Sequence, residues 1–128
     1  MRKNISSGSS WEDKVGYSRA VRVGNIVEVA GTTAMDGDTL IGEEDIYAQT
    51  FFILTKIEKA LQEAGASLSD VVRTRMFVTN ISKWEEVGKA HAEFFKNIKP
   101  VTTMVEVSKL INEDLLIEIE VSAIVGGD

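Results

Sequence analysis

The chain has 128 residues, of which 44% are hydrophobic and 27% charged, a composition typical of a globular protein with a substantial core. Its net charge of −6 and its dispersed cations make nucleic acid an unfavoured partner. The absence of cysteine excludes disulfides and thiol chemistry. No apolar run approaches the roughly 20 residues that span a bilayer, and the first ten residues lack the apolar centre of a secretory signal. We therefore expect a cytoplasmic protein without a membrane partner.

The first predicted element is a β-hairpin. Residues 1–14 are expected to form a flexible tail, after which strand-like runs cover 17–23 and 26–30. Gly24 and Asn25 separate the two runs. This pair suits a two-residue turn that requires positive φ, so the two runs are predicted to pair as neighbouring strands.

Two helices and a strand are predicted in the middle of the chain. A helix over 43–64 has acidic residues at its N-terminal end, an apolar stripe at helical spacing, and Gly65 at the position of a C-terminal cap. A strand follows over 71–79. A second helix is predicted to begin at Ser82, which makes a capping-box pattern with Glu85 three residues later.

The last two predicted strands cover 101–107 and 117–125, and both alternate with a period of two. One face of the second strand is apolar and is predicted to be core; it consists of Ile117, Ile119, Val121, Ala123 and Val125. The other face of the two strands is expected to be one common surface that is either solvated or lines a site. It carries Thr102, Met104, Glu106, Glu118, Glu120 and Ser122.

The element order β-β-α-β-α-β-β indicates one α+β domain over residues 1–128, without linkers or repeats. Two helices can cover only one face of a sheet of five or six strands. The other face is expected to carry Val71, Phe77 and Met104, which makes it too apolar to be only solvated. We therefore predict that copies of the chain associate through this face, with symmetry as the usual outcome.

Several short motifs, taken in order, resemble a known family. They are Gly16-Tyr17-Ser18, Val29-Ala30-Gly31, Val71-Val72-Arg73-Thr74, Phe77-Val78, Phe94-Phe95, Pro100, Val105-Glu106-Val107 and Ile117-Glu118-Ile119-Glu120. On these motifs, nearly the whole chain resembles the reactive intermediate deaminase (Rid) proteins, also called the YjgF or L-PSP endoribonuclease-like family. The resemblance implies a chorismate-mutase-like fold and a homotrimer built around a central barrel, with the helices outside. It also implies clefts between subunits in which enamine or imine intermediates are hydrolysed to keto acids and ammonia, without a cofactor or a metal.

The resemblance assigns roles residue by residue. Glu118 matches the family's water-positioning glutamate and Tyr17 matches its cleft tyrosine, so these two are the candidate catalytic residues. The candidate substrate-binding positions are Gly31, Gly88, Thr102, Thr103 and Met104.

Position 102 departs from the family pattern, because Thr102 stands where the family has its hallmark arginine. Met104 stands in place of a cysteine or serine, Gly88 in place of an asparagine, and Gly16 in place of a proline. Arginine grips a carboxylate through two charged hydrogen bonds, whereas threonine offers one neutral bond, so carboxylate binding is expected to be weaker by roughly tens of fold. A smaller, neutral or differently anchored ligand fits better.

Each candidate also has a purely structural interpretation. Glutamates such as Glu118 and Glu120 are ordinary residues on the solvated face of a strand. A tyrosine in a strand, such as Tyr17, usually packs against its neighbours with its hydroxyl hydrogen-bonded. Thr102 and Thr103 are good strand formers, so their presence needs no functional reason.

Other polar residues extend these alternatives. Arg73 and Arg75 share a strand face and are alternative sources of a cation, although pairing with acidic residues across the sheet is the simpler expectation. His91 lies on or beside the packed face of the second helix, without a second metal ligand at hand.

Three functions remain open from sequence. The first is a Rid-type deaminase acting on a small-molecule substrate. The second is a non-catalytic trimer that binds metabolites or protects proteins, motivated by Thr102. The third is an L-PSP-type endoribonuclease, which the negative charge and the lack of a paired histidine disfavour.

Overall fold

Six strands form one mixed sheet in the computed structural model, which describes residues 1–126. The strands are β1 (Arg2–Ile5), β2 (Ala20–Val23), β3 (Ile26–Thr32), β6 (Val71–Val78), β7 (Val101–Glu106) and β8 (Ile117–Ile124), with a separate small hairpin of β4 (Met35–Asp36) and β5 (Thr39–Leu40). The order across the sheet is β1-β2-β3-β8-β6-β7; β6 and β7 run parallel and the other neighbouring pairs antiparallel. The helices are α1 (Ser10–Val15), α2 (Ile46–Glu63) and α3 (Trp84–Phe95).

The core lies between the sheet and the pair of helices α2 and α3. The predicted apolar face of β8 is confirmed, since Ile117, Ile119, Val121 and Ala123 are at most 2% exposed. From α2, the side chains of Ile53, Leu54, Ile57 and Leu61 are fully buried against it. The opposite side of the sheet carries neither α2 nor α3, and we call it the open face.

The N-terminal residues do not form the expected tail. β1 pairs with β2 over four residues, and Ile5 is buried in the core. Glu12 on α1 is also buried, and its carboxylate accepts hydrogen bonds from Ser6 and Ser7. Burial would raise the pKa of Glu12, but these hydrogen bonds, with a smaller contribution from Arg19, hold it below its ordinary value. A buried apolar anchor and a satisfied buried carboxylate therefore fix this segment.

The predicted turn and helix ends are partly confirmed. The hairpin turns at Gly24, whose φ is +60°. Gly65 ends α2 with a φ of +80°, and the N–H of Ala66 donates to the Leu61 carbonyl, as a C-terminal glycine cap requires. However, α2 begins only after Asp45, whose side chain accepts the Ala48 N–H at 3.0 Å.

The predicted capping box at the start of the second helix is wrong. The side chain of Asn80 accepts both the N–H and the hydroxyl of Ser82, at 3.1 and 2.6 Å. Because the Ser82 hydroxyl is used as a donor to Asn80, it does not cap the following turn. A single 3-10 turn over Ile81–Lys83 precedes α3, which begins at Trp84.

A bulge in β6 overturns one assignment of faces. The register against β8 shifts between Val71 and Arg73. Val71, expected on the open face, is therefore buried in the core, while Val72 is 42% exposed. Phe77, beyond the bulge, lies on the open face beside Glu118 as predicted.

The expected common surface of the last two strands is also wrong. Strand β7 pairs with β6 so that Thr102 lies beside Thr74, which is fully buried under the helices. Met104 likewise packs against the core. Thr102 and Met104 therefore lie on the helix-covered face, whereas Glu118 lies on the open face. Their separation follows from strand register, which alternation within each strand does not determine.

The connection between β7 and β8 is fastened to α2 by one buried side chain. Gln49 is fully buried, and its Nε2 donates to the carbonyls of Gly42 and Asp114, at 3.2 and 3.0 Å. Its Oε1 accepts the Leu116 N–H at 2.8 Å. Because Leu116 directly precedes β8, this hydrogen bond from Leu116 to Gln49 also holds the start of the strand that carries Glu118.

Replacing Gln49 with Met keeps the size of the side chain but removes the partners of three backbone groups. We expect the free energy of unfolding, measured by urea titration, to fall by about 2–4 kcal/mol. The matched control is Gln62→Met, on the exposed side of the same helix, which should change it by less than about 0.5 kcal/mol. Equal effects of the two variants would refute this role for Gln49.

Candidate functional site

The carboxylate of Glu118 lies directly over Gly31 on the open face. Gly31 is in β3, next to β8, where the register of the two strands shifts between Val29 and Thr32. A Cβ atom added to Gly31 would overlap Oε2 of Glu118 and lie 3.0 Å from its Cδ. The place of this carboxylate therefore exists only because residue 31 has no side chain.

The surroundings of Glu118 favour its protonated form more than water does. Its side chain is half-buried, and this burial raises its pKa above the ordinary value; Arg19 opposes the shift and Glu120 adds to it. The ion pairs within residues 1–126 are Arg75–Glu120 and Lys83–Glu86, so Glu118 is not held in one. A carboxylate with a raised pKa and no fixed partner is suited to take a proton from a water molecule.

Arg19 links Glu118 and Gly31 to Tyr17. Its Nη1 donates to the Gly31 carbonyl and to the Thr32 hydroxyl, both at 3.1 Å. Its guanidinium carbon lies 5.7 Å from the centre of the Tyr17 ring. Tyr17 is 39% exposed, so its ring lies at the surface of the protein. The candidates Tyr17, Gly31 and Glu118 are thus brought together, and their catalytic role stays a prediction.

Sequence reasoning did not select Arg19. The signal was its position two residues after Tyr17, because residues two apart in an extended segment point to the same side. That spacing groups Arg19 with the candidate tyrosine, although it does not reveal the hydrogen bond from Arg19 to Gly31 on β3.

The second group of candidates lies at the β7 edge, on the helix-covered face. The hydroxyls of Thr102 and Thr74 are 2.9 Å apart, and that of Thr102 also donates to the Pro100 carbonyl at 3.2 Å. The Thr74 hydroxyl lies 2.9 Å from Nε2 of His91. The hydroxyls of Thr102 and Thr74 and the His91 ring thus form one continuous hydrogen-bonded chain. Burial lowers the pKa of His91, which favours this neutral, hydrogen-bonded ring.

The remaining candidates do not converge on one point in a single chain. Gly88 precedes His91 by three residues on α3, so it lies on the same side of the helix, and an added Cβ would meet nothing within 4 Å. Thr103 lies on the open face beside Arg75. Glu118 and Thr102 are on opposite faces, with β6 between their strands. A cleft that contains both would therefore require two copies of the chain.

A separate depression of about 780 Å³ lies on the open face. Tyr17, Arg73, Arg75 and Glu120 are among its lining residues, whereas Gly31 and Glu118 are not. The expected cross-strand pairing holds for Arg75, which contacts Glu120 at 3.1 Å. The partners of this exposed pair contribute little to stability, since such pairs are worth roughly 0–1 kcal/mol.

Neither a metal centre nor a membrane span is found in the described part of the chain. Residues 1–126 contain no group of three or more histidine or acidic side chains placed to hold a metal ion. Over the same range, no helix has the length and apolar character needed to cross a membrane.

Replacing Gly31 with Ala should force the Glu118 carboxylate out of its place. We expect a displaced Glu118 side chain in a crystal structure, because the new Cβ and Oε2 cannot share the same space, and only a small drop in melting temperature, because the carboxylate is the end of a flexible side chain that can turn outward. Gly88→Ala is the matched control; it should be neutral or stabilising by up to about 1 kcal/mol, since alanine favours a helix.

A double variant separates this conflict from other effects of the substitution. In a Glu118→Ala background the obstructing carboxylate is gone, so Gly31→Ala should cost much less than in the wild type. The same cost in both backgrounds would show that the contact with Glu118 is not its cause.

Comparison with known proteins agrees with this architecture. The family model described as endoribonuclease L-PSP matches residues 9–125. An uncharacterized protein of Streptomyces coelicolor is 40% identical over 121 residues, which cover 94% of this chain and 90% of that protein.

Solved structures extend the comparison to the fold. A Mycobacterium tuberculosis protein, described as a member of the highly conserved YjgF/YER057c/UK114 family, superposes with a TM-score of 0.90 at 55% identity, covering 98% of this chain and 100% of that one. A Yersinia pestis protein of unknown function, from the conserved Rid protein family, has a TM-score of 0.83 at 31% identity, with 98% and 100% covered. The expected chorismate-mutase-like α+β fold is thereby confirmed. The chain belongs to the endoribonuclease L-PSP family, which includes the YjgF and Rid proteins.

Proposed function

We propose that this protein is a cytoplasmic homotrimer that hydrolyses small enamine or imine intermediates to keto compounds and ammonia, without a cofactor, in clefts between its subunits. The observation that carries the proposal is the position of Glu118, half-buried over Gly31 with a raised pKa and outside any ion pair of the described residues. A general base is most effective when its pKa approaches the working pH.

The proposed reaction needs one water and one proton shuttle. An enamine first tautomerises to the imine. Glu118 takes a proton from a water molecule as the water oxygen forms a bond to the imine carbon, and the imine nitrogen takes a proton from solvent. Glu118 then gives its proton to the nitrogen of the resulting carbinolamine, whose hydroxyl proton passes to solvent. The C–N bond then breaks, which leaves a C=O group and releases ammonia.

The exposed apolar residues of the open face support self-association. Val23, Ile26 and Ile124 are register neighbours on β2, β3 and β8, and each is about half exposed. Their burial against another copy would be favourable by about 25 cal/mol for each Å² of apolar surface removed from water. In such an assembly the β7 edge with Thr102 would approach the Glu118 of a neighbouring subunit.

A non-catalytic binding role is the second candidate. It is supported by Thr102, whose hydroxyl is already hydrogen-bonded to Thr74 and Pro100. This neutral side chain offers no positive charge that could bind an anionic substrate. An endoribonuclease activity, which the family name suggests, is not favoured. The net charge is −6, burial lowers the pKa of the single histidine, His91, and its Nε2 is hydrogen-bonded to Thr74.

Glu118→Gln should lower the rate of ammonia release from imines generated in situ by about 10²- to 10⁴-fold, the usual contribution of a general base. The control Glu120→Gln, on the same face, should stay within a fewfold of the wild type. No acceleration by the wild type over the buffer rate, at high protein concentration, would refute the proposal.

The pH dependence of the wild-type rate provides a second test. Glu118 is the base as a carboxylate, so activity should fall as the pH drops through its pKa. Because burial raises that pKa, the fall should be centred above the value of an ordinary glutamate. An acid limb at or below the ordinary value would contradict the assignment of Glu118 as the base.

A further inference from the structure

The guanidinium of Arg19 donates hydrogen bonds from Nη1, while the edge formed by Nε and Nη2, which we call the open edge, has no acceptor at Nε. Both of its hydrogen bonds, to the Gly31 carbonyl and the Thr32 hydroxyl, use Nη1. Its Nε is buried and has no acceptor; it is the one buried side-chain nitrogen or oxygen without a partner in residues 1–126. Nearby Arg22 differs, since its Nε donates to the Gly24 carbonyl at 2.9 Å.

An unpaired buried donor is unfavourable, because it has given up its hydrogen bonds to water without gaining a partner. In a planar guanidinium, Nε–H and one Nη2–H point in the same direction and form a fork. This fork matches the two oxygens of a carboxylate, which is why arginine binds such groups with two parallel hydrogen bonds. The open edge of Arg19 therefore lacks an acceptor of this shape.

A second cation lies close to Arg19. Lys56 reaches from α2 to the carbonyls of Thr33 and Met35, at 3.2 and 2.7 Å. Burial lowers the pKa of Lys56, and repulsion from Arg19 adds to the effect, while Asp36 opposes it. Two mutually repelling cations beside Gly31 and Thr33 make this corner favourable for an anion.

Other arginines of the open face are less suited to this role. Arg75 is paired with Glu120. Arg73 lies beside Ser122, four residues along β8 from Glu118, which is a distance of about 13 Å along the strand. Arg19, in contrast, bonds the backbone of the very residue on which the Glu118 carboxylate rests.

Access to the open edge requires a movement. Nε is shielded from solvent, and the Tyr17 ring lies against the guanidinium. Because Tyr17 is 39% exposed, its ring can turn outward without disturbing the core.

We propose that Arg19 is the specificity-determining residue of this site, and that it binds the carboxylate of a small keto or imino acid through Nε and Nη2. Anion recognition would then lie in the same subunit as Glu118 rather than at position 102. The inference rests on the proposed function only for the identity of the reacting group, since binding of the anion is independent of turnover.

The test is calorimetric titration with 2-oxobutanoate, a stable keto acid, and with its methyl ester, which has the same skeleton without the charge. We expect the wild type to bind the acid at least about tenfold more tightly than the ester. Arg19→Gln should abolish this preference while leaving ester binding within a few fold. Arg19→Lys should retain part of it, because lysine keeps the charge but not the fork. Arg73→Gln is the matched control and should bind both ligands like the wild type.

Three results would overturn the inference: no binding of the acid by the wild type, equal binding of acid and ester, or an unchanged preference in Arg19→Gln. Unchanged ester affinity shows that a variant is folded. If Arg19→Gln does not fold, the preference for the acid over the ester is measured with Arg19→Lys instead. Binding of the acid through Arg19 without any ammonia release would refute the proposed function and leave the inference standing. Turnover of imino acids, which carry the carboxylate, that is unaffected by Arg19→Gln would do the reverse.

Discussion

The contact between Gly31 and the carboxylate of Glu118 is the constraint on which the site depends. It places a half-buried acid at a bulge between β3 and β8, where any other residue at position 31 would displace it. At the same bulge, the Gly31 carbonyl accepts a hydrogen bond from Arg19, and the Arg19 guanidinium lies beside the Tyr17 ring. The absence of a side chain at residue 31 thus allows a carboxylate, a guanidinium and an aromatic ring to lie close together on the open face.

The sheet divides the remaining candidates by strand register. Thr102 follows Thr74 onto the helix-covered face, where two hydroxyls and the His91 ring satisfy one another. In the single chain, the Thr102 side chain therefore already belongs to a hydrogen-bonded network. Glu118 lies on the other side of the sheet. This geometry explains why a site containing both would have to be shared between copies of the chain.

Sequence patterns predicted the elements that depend on local chemistry. The apolar face of β8, the Gly24 turn and the Gly65 cap follow from alternation and from positive φ, both of which a short window of sequence contains. The bulge at Val71 and the face of Thr102 depend on pairing between distant strands, which no local pattern determines. The capping box failed because Asn80 competes for Ser82. Arg19 was missed because its importance arises from contacts with a neighbouring strand.

The proposed role of Glu118 depends on the pKa of its carboxyl group. A carbon-13 NMR titration of the glutamate carboxyl groups, with the Glu118 signal assigned from a Glu118→Gln variant, measures its pKa without any substrate. We expect a titration midpoint above the ordinary glutamate value, because burial over Gly31 penalises the charged form more than Arg19 stabilises it. A midpoint at or below the ordinary value would show a solvated or ion-paired carboxylate and would contradict the account.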